Sequence, residues 1–76
     1  MMMNFPRELQ IEDLRNHSAE VVMRLQNLLV GPVKVHPDPK RAGFYELEGD
    51  ARVYYIHMSP ITGTIFFLAT WGTVAA

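Results

Sequence analysis

Three histidines, Ser59 and a scatter of cations are the side chains of this 76-residue sequence to weigh first for chemistry. His17, His36 and His57 stand far apart and form neither an HxxxH nor an HxH pair, so their spacing specifies no metal site. His57 has the imidazole that titrates near neutrality, and Ser59, two residues on, shares its side of an extended strand. A Ser–His nucleophile needs the hydroxyl aimed at the ring and a third group orienting that ring. Ser59-Pro60 reads instead as a turn opener, and His57 as a strand residue with one satisfied hydrogen bond. Lys34, Lys40, Arg41 and Arg52, close in sequence to Tyr54 and Tyr55, match the cation–aromatic mixture that binds RNA by phosphate contact and base stacking. The competing assignment pairs Arg52 with Glu46 or Glu48 across a hairpin. Seven basic against eight acidic residues, a formal net charge of −1, favour that pairing and weigh against nucleic acid as a partner. No Gly-rich phosphate loop and no paired carboxylates in a cleft are present, so neither cofactor nor metal is expected.

The elements that must position these residues are few. Residues 4–17 read as an extended or one-turn lead-in. Residues 18–30 form the one clear helix: Ser18 is an N-cap, Glu20 complements the dipole, and Val21, Leu25, Leu28 and Leu29 make the apolar stripe. Gly31-Pro32 stops it. Val33 to His36 alternates as a short edge strand, and Pro37-Asp38-Pro39 is a stiff connector. Phe44–Glu48, Arg52–Ser59 and Thr64–Trp71 are three strands. They are joined by a tight Gly49-Asp50 turn, with Gly tolerating positive φ, and by a 59–63 loop with Gly63 in the left-handed position. The expected fold is α+β: one main helix on a three- to four-stranded antiparallel meander. It forms a single domain over 1–76, with 1–5 and 72–76 flexible.

Period-two sorting places Val53, Tyr55 and His57 on one face, and Arg52, Tyr54, Ile56 and Met58 on the other. Neither the second nor the third strand has a polar side. One helix covers one face, so a second, partly apolar face is left, and such a patch marks an interface. The interface is expected at Tyr54, Ile56, Met58, Phe66, Leu68 and Trp71. It would serve a homodimer, the commonest closed assembly, or one protein partner. The absence of cysteine excludes disulfides and thiol chemistry. The apolar runs are too short to span a bilayer, and the start lacks a secretory pattern, so the reading is a cytoplasmic protein with no membrane partner.

The passage Phe44-Tyr45-Glu46-Leu47, Gly49-Asp50, Arg52-Val53-Tyr54-Tyr55-Ile56 and Ile65-Phe66-Phe67-Leu68, preceded by a helix, resembles the C-terminal part of the RelE/ParE toxin superfamily. The resemblance covers about Val21 to Leu68. It implies helices on an antiparallel sheet and, for many members, ribosome-dependent ribonuclease activity. On that resemblance Arg52 would match the phosphate-binding arginine of the central strand, and Lys40 and Arg41 the lysines before the sheet, with His57 as a further candidate. The chain departs from the family at its third strand, which ends Ala69-Thr70-Trp71 without a basic residue. Three functions are therefore weighed, in order: a small non-enzymatic interaction module working through its second sheet face, a RelE-like ribonuclease, and a small-molecule-binding dimer with its pocket at the interface.

Overall fold

The computed structural model describes residues 1–72. Six strands and one helix follow the chain as β1 (Met2–Met3), β2 (Ile11–Asp13), α1 (Ala19–Leu28), β3 (Val33–Pro37), β4 (Phe44–Glu48), β5 (Arg52–Met58) and β6 (Ile65–Gly72). They build one sheet in the order β1-β3-β4-β5-β6-β2. The class is α+β, but the expected three- to four-stranded antiparallel meander is corrected to six strands in a mixed sheet, because β2 runs parallel to β6. The central meander β3-β4-β5-β6 is antiparallel throughout. The first thirteen residues add one short strand to each of its outer sides.

The helix forms as its caps dictate. The Ser18 hydroxyl accepts from the Val21 amide at 3.3 Å, and Arg24 reaches back to Glu20 at 3.0 Å. Leu25 and Leu29 are buried against Val33, Val35, Leu47, Tyr54, Ile56, Ile65 and Phe67, and these make up the core. Every one of the sheet members alternates with a side chain on the other face, as a pleat requires. The helix-covered face is therefore the face of Tyr54 and Ile56, 3% and 0% exposed.

Two local expectations change. The 33–37 strand is not an edge, since Met2 and Met3 pair outside it with Lys34 and Val33. In the β4–β5 turn the positive φ falls on Ala51 (φ 57) and not on Gly49. Gly49 is needed for room: a Cβ there would sit 2.9 Å from Tyr54 Cε2 and 3.1 Å from the Arg52 carbonyl. Gly63 does take the left-handed conformation, φ 73. Of the segments expected to be flexible, 1–5 holds β1 and Gly72 ends β6, while 73–76 lie outside the described residues. No helix among the described residues is long and apolar enough to cross a membrane.

Candidate binding face

The face opposite α1 is built row by row from the strand register. One row runs Lys34, Glu48, Val53, Trp71; the next His36, Glu46, Tyr55, Ala69; the third Phe44, His57, Phe66, Glu12. The β3 and β4 columns are mostly charged, and the β5 and β6 columns are apolar or aromatic. A bulge between Tyr55 and Ile56 in the β5–β6 ladder sets Leu68 as the extra residue of β6. Among the described residues α1 packs on the other face, and on the aromatic side the 38–43 loop reaches only the Phe44–Tyr55 end. The half-buried apolar residues that pack on the core come from the lead-in, the helix and Tyr45.

The third row is a chain of rings. Phe44 stacks on His57 at 4.5 Å between centroids, His57 on Phe66 at 5.9 Å, and Phe44 also on Tyr55 at 5.9 Å. The Arg41 guanidinium carbon lies 4.4 Å from the Phe44 ring centroid, a cation–π contact. His57 Nδ1 is 2.9 Å from the Gly43 carbonyl oxygen. That oxygen only accepts, so Nδ1 carries the proton and a neutral ring keeps Nε2 as an acceptor. Gly43 has to be glycine here. Its φ is +84, and a Cβ would lie 3.1 Å from His57 Cε1.

A polar clasp closes one end of the row. Tyr55 donates its hydroxyl to Asp38 Oδ2 at 2.5 Å, and the Lys40 amide donates to Asp38 Oδ1 at 2.9 Å. The Tyr55 bond, reinforced by the Lys40 amide, holds the Asp38 carboxyl below its ordinary range. The same bond, by favouring the intact phenol, raises Tyr55. On the charged side Glu48 accepts from His36 Nε2 at 2.9 Å and faces Lys34 Nζ at 3.9 Å. The His36 bond first, and the Lys34 charge second, lower its carboxyl.

The residues expected to do chemistry scatter. Arg41 and His57 meet at the Phe44 ring. Lys40 stands beside them as an exposed loop residue. Arg52 is elsewhere: it opens β5 on the helix-side face, with about 17 Å of strand between it and His57. It pairs with neither Glu46 nor Glu48 but donates to the Thr70 hydroxyl at 3.3 Å. The cation set Arg52, Lys40 and Arg41 is thus not assembled at one point. His17 lies at the helix entrance, stacked on Phe67 at 4.1 Å, with Nδ1 2.8 Å from Asp13 Oδ1. Partial burial pushes the Asp13 carboxyl up, but the His17 ring and the Arg15 and His17 amides pull it further down. Among the described residues no group of three or more His, Cys, Asp or Glu side chains is placed to hold a metal ion.

The expected interface residues divide as well. Phe66 and Trp71 stand on the uncovered face by register, and Leu68 sits at the bulge beside them. Tyr54 and Ile56 are corrected to core positions beneath the helix, and Met58 shares their side of β5. The sequence reasoning missed Phe44, Tyr55 and Arg41 as members of the uncovered face. The signal was present: Lys34, His36, Glu46 and Glu48 alternate with Val33, Val35, Tyr45 and Leu47. Extending the inward column of that pattern across the ladder places Tyr54 and Ile56 inside and Tyr55 outside.

No protein-family model matches the chain, and no curated protein or solved structure matches it either.

Proposed function

We propose that this chain is a small non-enzymatic interaction module whose working surface is the sheet face opposite α1. The observation that carries the reading is the ring row Phe44–His57–Phe66, with Tyr55 beside it and Val53, Ala69 and Trp71 continuing the apolar side, left without a second layer among the described residues. Aromatic side chains of this kind, rigid and amphipathic, are enriched where proteins meet. The charged columns on β3 and β4 give the rim that orients a partner. A protein partner suits this surface better than RNA does, because Asp38, Glu46 and Glu48 lie among its cations.

Capture from native cell extract tests the reading, comparing the unaltered chain with Phe66→Glu and running each with and without ribonuclease. The expected result is a stoichiometric protein partner retained after ribonuclease and lost with Phe66→Glu. Recovery of RNA or ribosomes that disappears on ribonuclease treatment would overturn it in favour of the toxin-like alternative. A protein partner indifferent to Phe66→Glu would move the binding surface off this face.

A further inference from the structure

The two edges of the sheet are treated differently. On one side β3 carries Lys34 and ends at Pro37, and β1 lies outside it, with the Val35 amide donating to the Met1 carbonyl at 2.7 Å. On the other side β2 covers β6 only from Ile65 to Phe67. The last bond there runs from the Leu14 amide to the Phe67 carbonyl at 3.1 Å, and the chain turns away through Asn16 at φ 52. From Leu68 to Gly72, β6 continues along β5 with no strand outside it among the described residues. These residues, Leu-Ala-Thr-Trp-Gly, include no charge and no proline, two of the devices that keep a free edge from pairing; a third, the bulge, stands only at the start of the segment, at Leu68. The bulge at Leu68 marks the boundary between the covered and uncovered halves.

We propose that a second copy of this chain fills that edge: β6 pairs antiparallel with the partner's β6 about a twofold axis at Thr70, and the two sheets run on as one. The strand complements itself in that register. Trp71 stands opposite the partner's Ala69, Leu68 opposite the partner's Gly72, and Thr70 opposite the partner's Thr70, so each large side chain meets a small one. Trp71, 43% exposed, belongs to the same face as Ala69, and the partner copy covers it. With no charge in the segment, self-pairing brings no like charges together, and an isologous twofold contact closes without further growth. This goes beyond the face-binding reading, because edge pairing leaves Phe44, His57 and Phe66 uncovered and doubles them on one continuous surface.

The cysteine-free chain makes the test direct. Sedimentation of the unaltered protein is expected to give twice the 8.7 kDa chain mass. Hydrogen exchange at 68–72 is expected to slow as protein concentration rises. A single Thr70→Cys is expected to form a disulfide-linked dimer on mild oxidation, since opposed antiparallel residues have Cα atoms about 4.5–5.5 Å apart, within disulfide reach. Phe66→Cys is expected to stay unlinked, and Phe66→Glu to keep the dimer mass. A monomer at about 0.1 mM, with exchange at 68–72 indifferent to concentration, would overturn the proposal; 0.1 mM sits in the micromolar-to-millimolar range of weak association. A dimer that links through Phe66→Cys and not Thr70→Cys would also overturn it, while leaving the face reading intact. Should Thr70→Cys fail to fold, the exchange measurement on the unaltered chain decides.

Discussion

The two faces of the sheet use similar residues to opposite ends. Under the helix, Tyr54 and Phe67 meet at 5.9 Å inside a layer closed by Leu25 and Leu29. On the other side Phe44, His57 and Phe66 stack at comparable distances, yet their polar atoms are tied locally, His57 to Gly43 and Tyr55 to Asp38. One aromatic set is held by what covers it; the other is held by its neighbours and a loop. Apolar content alone does not separate a core from a binding surface. Whether another element of the chain lies on top does.

Substitutions test that difference, and the largest effect belongs to the covered side. Phe67→Ala removes a fully buried ring and is expected to cost about 3–5 kcal/mol, enough to unfold most of a domain this small on thermal or denaturant titration. A milder loss on that side would mean that the helix packs loosely. Gly49→Ala comes next, at about 1–3 kcal/mol from overpacking, because its Cβ meets the Tyr54 ring and the rigid Arg52 carbonyl. Phe66→Glu on the other face is expected to change stability by about 1 kcal/mol or less, the worth of one ring contact, while abolishing partner binding. If it unfolds the chain as Phe67→Ala does, the two faces are not distinct in kind.

The smallest effect sharpens the comparison through pH. Asp38 has a folded-state value below its unfolded one, so its contribution is present above the unfolded value and is lost as pH falls through the depressed one. Tyr55 is raised, so its contribution is present below the unfolded value and is lost as pH climbs through the higher one. The Tyr55–Asp38 bond is therefore intact across the middle range and fails at both ends. Tyr55→Phe is expected to flatten the alkaline arm of the stability profile and to make the acid arm shallower, where Asp13 and Glu48 still contribute, measured by the fluorescence of Trp71, while Phe66→Glu leaves both in place.

Much of this architecture is legible in the sequence. Ser18, Glu20 and Gly31-Pro32 bracket the helix, and dense β-branched and aromatic residues mark β4, β5 and β6 within a residue of their observed ends. The outer strands were not legible for a physical reason. Met2–Met3 and Ile11–Asp13 are too short to show a period, and their partners lie far along the chain. Parallel pairing of Ile11 with Ile65 leaves no local trace, unlike a hairpin, whose turn residues announce it. The ring row was half legible. Phe66 and His57 were singled out, but Arg41 reaches Phe44 only because the loop folds back, with Asp38 N–H on the Phe44 carbonyl at 2.9 Å and Phe44 N–H on the Arg41 carbonyl at 3.2 Å. Arg52 was misassigned because its partner, Thr70, belongs to the strand on its other side.

The sheet order has a consequence for how the chain reaches this state. Its first thirteen residues supply the outermost strand on both sides of the meander, with Phe5 and Leu9 packing inward between them. During synthesis that segment precedes the meander, yet β2 has nothing to pair with until Ile65 to Phe67 have followed it. The two flanking strands therefore lock at different times, and the second of them waits for nearly the whole chain. Contacts of such long sequence separation slow folding. A chain cut before Ile65 would leave Ile11–Asp13 without the strand it pairs with.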